Sequence, residues 1–282
     1  DWQASMMAHA SRDPYWQASV RREVLEHPES SAAIQHECAA CHMPMSRFKA
    51  KASGEQGAIF RHLPVLNPSP SPTDRLAADG VSCTMCHQIQ DENLGDKASF
   101  TAGFSVDTET PLGQRIIFGP FEVDAGRQLI MRSASLFQPN QGLHVQGSEL
   151  CATCHTLYTH ALGPGGEVIG ELPEQVPYLE WRHSSYRDSQ SCQDCHMPVV
   201  EVEMPVTAVL GQPRPKLSRH VFRGGNFFMM KVLNRNRDEV VAQAEPNGLE
   251  TAARRTIEHL ETETARVMID SIAISGGRLR AV

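Results

Sequence analysis

The sequence has few aromatic residues, no long apolar run and no cysteine outside one repeated pattern. Aromatic residues make up 6% of the 282 positions and hydrophobic residues 40%, which is little for a core built from side chains alone. No stretch approaches the roughly 18 consecutive apolar residues that a transmembrane helix needs. The formal net charge of −7 disfavours nucleic acid as a partner, because phosphate-binding surfaces are basic.

All eight cysteines belong to four copies of Cys-x-x-Cys-His. This pattern is typical of covalent haem attachment, because two thiols three positions apart form thioethers to the vinyl groups of one haem, and the next histidine binds its iron. Random placement predicts roughly 0.01 such pentapeptides in the chain. We therefore expect four covalently attached haem c groups, with proximal histidine ligands, at Cys38/Cys41/His42, Cys83/Cys86/His87, Cys151/Cys154/His155 and Cys192/Cys195/His196.

Two other uses of paired cysteines explain the pattern less well. Two four-cysteine zinc sites would leave four histidines after the second cysteines without a role. A dithiol redox motif uses one exposed pair in a thioredoxin-like setting. The pattern favours haem over both.

Haem c is attached outside the cytoplasmic membrane, so the expected location is the periplasm, the extracellular space or the cell surface. The chain opens without a charged segment followed by an apolar one. A secretion signal removed upstream of Asp1 is therefore expected.

The expected fold is mainly α-helical with much irregular structure and a core dominated by haem. Small β excursions are expected near 98–137 and 266–282. The haem patterns divide the chain into a first module at 1–62, a second with a proline-rich loop and an insert at 63–140, a third and fourth at 141–235, and a C-terminal helix with the start of a β segment at 236–282.

Local signals predict several elements. Asp13 and Pro14 are typical of a helix start, and apolar periodicity predicts a helix ending at His27. Prolines exclude regular structure over Leu63–Thr73. The other predictions are a short helix over Glu29–Glu37, an antiparallel strand pair within Ala98–Phe137, an extended edge over Val199–Val206, a short helix capped by Asn226 and an amphipathic helix over Leu249–Thr264.

The end of the sequence predicts strands. Val267, Ile269, Ile272 and Ile274 precede the turn pair Gly276-Gly277, which is typical of a hairpin. The pattern is interrupted at Val282, so a cleaved or truncated end is expected.

The sixth iron ligands must come from the nine histidines outside the haem patterns. Their contexts favour His144, His183 and His220 as distal ligands, with His62 slightly preferred over His9 for the fourth. His183 lies in an aromatic-flanked segment and His144 between glycines. Roles other than iron ligation fit four others. His27 lies at a helix end and His259 on an expected solvated helix face, whereas His36 and His160 are close enough to haem patterns to contact propionates or neighbouring rings.

With the four haem patterns, the segment Trp181-Arg182-His183-Ser184 and the spacing from His144 to Cys151, the chain resembles multihaem c-type cytochromes related to the tetrahaem electron carrier of hydroxylamine oxidation. The likeness spans most of residues 1–235. It implies closely packed, mostly bis-histidine haems that pass electrons between redox proteins. The long insert between the second and third patterns and the strand-like C-terminus depart from it.

The sequence favours an electron carrier without catalytic residues over an enzyme. One alternative is a nitrite- or hydroxylamine-type oxidoreductase with one open haem. Another is a haem subunit of a membrane electron-transfer complex, a homo-oligomer or a conducting filament, with other haem subunits as partners.

Overall fold

The computed structural model describes residues 1–63, 69–207 and 209–281. Helices and small sheets alternate with irregular connections, which agrees with the expected mainly helical class at this coarse level. In this part of the chain, every sheet has two strands. Pro64 and Pro68 of the proline-rich run, and Val282, lie outside the described residues.

The helices and strands follow one another along the chain with these bounds. The helices are α1 (Pro14–Glu26), α2 (Ser31–His42), α3 (Pro44–Ala52), α4 (Pro72–Ala78), α5 (Cys83–Cys86), α6 (Ala125–Ser135), α7 (Ser148–Ala152), α8 (Pro177–Arg182), α9 (Cys192–His196), α10 (Phe227–Arg235), α11 (Arg237–Val240) and α12 (Pro246–His259). The strands are β1 (Ile116–Gly119), β2 (Gln138–Gln141), β3 (Leu157–Leu162), β4 (Val168–Gln175), β5 (Met204–Pro205), β6 (Pro213–Arg214), β7 (Ile272–Ser275) and β8 (Arg278–Ala281).

The first helix forms as its sequence predicts. The Asp13 carboxylate accepts hydrogen bonds from the backbone N–H groups of Tyr15 and Trp16, at 2.8 and 3.2 Å. Pro14 occupies the first helical position, where its missing N–H costs nothing. Trp16, Val20 and Val24 are buried at a spacing of four residues, so one face of α1 packs on the core.

Each haem pattern lies on or beside a helical turn. The helix expected over Glu29–Glu37 begins at Ser31 and continues to His42, so α2 carries the first pattern. The second and fourth patterns lie in α5 and α9, and Cys151 lies in α7. Residues three apart are neighbours on a helix surface, so a helical turn presents both thiols of a pattern on one side.

The strand pair in the insert runs in the opposite sense to the prediction. β1 pairs with β2 in parallel, with Ile116 opposite Gln138. The sequence pattern predicted strands but not the intervening helix α6, whose start is capped by Asp124. Because a helix between two strands returns the chain to the same end of the sheet, the pairing is parallel and the antiparallel prediction is wrong.

Two other strand pairs are antiparallel hairpins. The C-terminal hairpin of β7 and β8 is confirmed, and Gly276 and Gly277 adopt positive φ angles of 58° and 72°, as its tight turn requires. Val267 and Ile269 precede the strand instead of belonging to it. The antiparallel hairpin of β3 and β4 was not predicted, although the Gly163-Pro164-Gly165-Gly166 turn between its strands was a usable signal.

Proline proves compatible with regular structure at one end of the predicted loop. Pro72 and Thr73 belong to α4, which Ser71 caps through a reciprocal arrangement with Asp74. Proline is tolerated at the first position of a helix, so the prediction of irregular structure is wrong there. The segment expected to be extended over Val199–Val206 contributes only Met204 and Pro205 to a strand.

The buried apolar side chains form several small clusters. One joins α1 to the first haem pattern, through Trp16, Val20, Ala39 and Met43. Another surrounds Cys41 and Cys154, and a third lies between α10 and α12. Leu249 and Ala253 of α12 are fully buried, which confirms its predicted apolar face. Asn226 precedes α10 but makes no side-chain cap bond. A core dominated by haem stays a prediction.

Candidate haem sites

The cysteines of different haem patterns lie next to each other. The Cys41 and Cys154 thiols are hydrogen-bonded, which together with burial raises the pKa of Cys41 well above its usual value. Cys151 and Cys192 form a second such pair, with the same effect on Cys151. Cys86 interacts electrostatically with Cys154 and Cys151. The third pattern therefore lies at the centre, hydrogen-bonded to the first and fourth and within electrostatic range of the second.

Burial makes several of these sulfurs poor thiolates. Burial is the main cause that raises the pKa of Cys38 to about 12, and Glu37 adds to it. Burial likewise raises the pKa of Cys86 to about 12. Zinc binding requires deprotonated thiols, whereas a thioether sulfur carries no charge. Cys38 and Cys86 therefore suit thioethers better than zinc, whereas the hydrogen bond with Cys151 lowers the pKa of Cys192 to about 6.

Three of the four predicted proximal histidines hold one ring nitrogen on a backbone carbonyl. Nδ1 of His42 lies 3.1 Å from the Ala10 oxygen. Nδ1 of His87 lies 2.6 Å from the Phe118 backbone oxygen, and Nδ1 of His196 lies 2.6 Å from the Arg223 backbone oxygen. A carbonyl only accepts, so Nδ1 carries the proton and Nε2 keeps the lone pair that binds a metal.

The remaining proximal histidine, His155, lies in the central pattern. Burial lowers its pKa, and the nearby His196 lowers it further. A neutral imidazole is the form that binds iron.

The rings of His87 and His220 stack on each other. Their ring centroids are 6.1 Å apart and their planes differ by 28°. Burial lowers the pKa of His220, His87 lowers it further, and a hydrogen bond with the backbone of Ser218 opposes both. The predicted distal residue His220 is thus brought beside a proximal one.

His196 also contacts a second histidine, His259, with the two rings edge to face. Their centroids are 6.5 Å apart and their planes differ by 61°. The solvated face expected for His259 is wrong, because its side chain is only 14% exposed. The missed signal was the helix period: Thr256, one turn earlier, is 1% exposed, so His259 borders the same buried face.

His9 and His62, the competing candidates, are both buried. Nδ1 of His9 lies 2.9 Å from the Ser5 oxygen. Its Nε2 is buried and has no hydrogen-bond partner within the described ranges, which is costly in a polar atom unless something binds it. His62 is 7% exposed, and its Nδ1 lies 2.7 Å from a carboxylate oxygen of Asp74. A carboxylate on the outer nitrogen is common in metal-bound histidines.

The other two predicted distal ligands are placed less suitably. Nε2 of His144 lies 2.9 Å from the Ile89 oxygen and so carries the proton. His144 also packs against the edge of Phe118, with centroids 4.7 Å apart. His183 ends α8 on an exposed turn, and the described ring contacts bring no proximal histidine to it. Both stay predictions.

The three remaining histidines have polar neighbours. His36 accepts a hydrogen bond from the backbone N–H of Gly57. His160 and His27 lie 3.5 and 3.9 Å from Glu37 and Glu29. None of these contacts tests a role with haem.

A cavity of about 220 Å³ borders His259. Three arginines line it, Arg219, Arg223 and Arg255, together with Glu258 and Glu263. Guanidinium groups recognise carboxylates, and two of these arginines already bind carboxylates of the chain, Arg223 that of Glu263 and Arg219 that of Asp1.

No family model, curated protein or solved structure matches the chain. Within residues 1–63, 69–207 and 209–281, no group of three or more His, Cys, Asp or Glu side chains could hold a metal ion. A haem iron needs at most two protein ligands, because its porphyrin supplies the others. No helix in the described ranges has the length and apolar character needed to span a bilayer.

Proposed function

We propose that this protein is a tetrahaem c-type cytochrome that transfers electrons between redox partners outside the cytoplasm. The observation that carries the proposal is the facing pair of His87 and His220. These rings come from distant parts of the sequence, and His87 follows a Cys-x-x-Cys pair.

The separation of the two rings supports one metal ion between them. An imidazole nitrogen binds a metal at about 2 Å and lies about 1 Å from its ring centroid, so two histidines on opposite sides of one iron have centroids about 6 Å apart. The observed 6.1 Å agrees. The carbonyl of Phe118 holds Nδ1 of His87 and so leaves Nε2 for the iron.

The arrangement of the chain suits electron transfer. Bound haem supplies a one-electron couple between ferrous and ferric iron. The cysteines hold the four attachment points in one cluster, with the third pattern next to the other three. The proximal histidines, three of which hold Nδ1 on a backbone carbonyl, would together with the distal histidines saturate each iron and exclude competing ligands. Redox proteins, including haem subunits of a larger complex, are the proposed partners.

Haem content and spin state test this function. The chain would be produced with a secretion signal in a host that attaches haem c. We expect an intact mass with four haems and an oxidised protein whose paramagnetic resonance shows only low-spin iron. A folded protein without haem, whether disulfide-linked or zinc-bound, would overturn the proposal.

A second candidate is an oxidoreductase with one open haem. It is favoured by the ring that lies against His42, because that ring belongs to Trp16 instead of a histidine. High-spin iron that binds carbon monoxide after reduction would favour this enzyme over the carrier.

A further inference from the structure

Arg223 connects two histidines that belong to different parts of the chain. Its backbone oxygen accepts the hydrogen bond from Nδ1 of His196 at 2.6 Å. Its guanidinium binds both carboxylate oxygens of Glu263, at 3.0 and 2.9 Å. Glu263 in turn lies 3.6 Å from Nδ1 of His259. Arg223 therefore holds His196 directly and places the Glu263 carboxylate at ion-pair distance from Nδ1 of His259, a buried nitrogen without a hydrogen-bond partner among the described residues.

We infer that His259 is the distal ligand of the haem attached at Cys192 and Cys195, opposite His196, and that Glu263 and Arg223 position it. This inference rests on the proposed function and assigns a ligand that the sequence pattern did not favour. The centroid separation of 6.5 Å is close to the value of about 6 Å required for two imidazoles on one iron.

The carboxylate lies on the correct nitrogen for this role. Because Glu263 faces Nδ1 of His259, Nε2 is the nitrogen available to the metal. An acidic neighbour on the outer nitrogen orients the ring and increases its strength as a ligand. The bidentate bond to Arg223 holds that carboxylate in place.

The backbone at the end of α12 brings Glu263 to this position. The helix widens into a π turn over Leu260–Thr264, a local form that is frequent at functional sites. Thr264 donates a hydrogen bond to the His259 carbonyl at 3.1 Å. The turn therefore continues the helix beyond His259 and keeps Glu263 beside it.

The competitor for the same iron is His183, nine residues before Cys192 in sequence. Closeness in sequence favoured it, but it is exposed on the turn that ends α8. His259 lies far from Cys192 along the chain, and its side chain is only 14% exposed. The two assignments predict different spin states for the alanine variants of these histidines.

The test uses the four-haem protein and three alanine variants. In His259→Ala, we expect four haems by mass, one of them converted from low-spin to high-spin iron, and recovery of low-spin iron on addition of imidazole. Arg254→Ala, an exposed position on the same helix, should leave all spin states unchanged. Four low-spin haems in His259→Ala, or a high-spin haem in His183→Ala alone, would overturn the assignment while leaving the haem count, and so the proposed function, intact.

Three further variants cover poor maturation and the positioning role. If His259→Ala does not mature, His259→Met keeps a ligand and should raise the potential of one haem; four unchanged potentials would refute the inference. Glu263→Gln should also raise one potential, because a neutral amide supports the imidazole less than a carboxylate does. Glu263→Asp should restore most of the original value, and equal potentials in all three proteins would remove Glu263 from the proposal.

Discussion

Trp16 lies flat against His42, with ring centroids 4.3 Å apart and planes within 6° of each other. The indole belongs to the buried face of α1, and the imidazole ends α2. Since Nδ1 of His42 is also held by the Ala10 oxygen, the ring is fixed in both position and direction. The first predicted proximal ligand thus depends on a tryptophan in another helix.

Replacing this tryptophan should destabilise the protein. Trp16→Ala removes a side chain that is 9% exposed, and such truncations cost about 3–5 kcal/mol. Denaturant unfolding of the haem-loaded protein measures the loss. Tyr15→Ala, at a 74% exposed position of the same helix, should change the free energy of unfolding by only about 0.5 kcal/mol. Equal losses would contradict a structural role for the ring contact.

Methionine at position 220 should change one haem. Methionine ligation raises a haem potential relative to histidine, so His220→Met should shift one of four potentials upward in a redox titration. His27→Met is the control, because His27 is 36% exposed and lies at a helix end. Four unchanged potentials in His220→Met would separate His220 from the iron of the second haem pattern.

His9 should prove to be a ligand as well. Its buried Nε2 has no partner in the described part of the chain, so a bound iron would explain an otherwise costly polar atom. We expect His9→Ala to convert one haem to high spin and imidazole to reverse the change. His36→Ala, whose ring accepts from Gly57, provides the comparison. A fully low-spin His9→Ala protein would leave His62 as the preferred candidate.

The pair of His62 and Asp74 predicts an acid dependence of stability. The hydrogen bond from His62, followed by those from Ser71, lowers the pKa of Asp74 from 3.8 to about 2. Because the folded pKa is below the unfolded one, the stabilisation is present above about pH 4 and is lost as the pH falls towards 2.

Asp74→Asn should therefore lose stability at neutral pH and approach the parent protein as the pH falls through this window. Unfolding curves of both proteins from pH 6 to pH 2 measure the difference. Asp91→Asn, at an exposed position, should show no such convergence. A difference that stays constant with pH would contradict the lowered pKa of Asp74.

The local sequence determined the features whose contacts join residues close together in the chain. The haem patterns place two thiols and a histidine within one helical turn, and Asp13 with Pro14 starts α1 because the cap bonds form within three residues. The glycine pair of the C-terminal hairpin is equally local. By contrast, the parallel sense of β1 and β2 depended on an intervening helix that their own pattern does not encode.

Only the tertiary structure decided which histidines meet. The helix period places His259 at the border of the buried face of α12, but only the packing of α12 brings it 6.5 Å from His196. His220 reaches His87 in the same manner. An iron's second ligand is chosen by distance in space, and chain folding makes that distance independent of separation in sequence. The proposed attachment chemistry therefore rests on local spacing, whereas the pairing of the histidines required the packed chain.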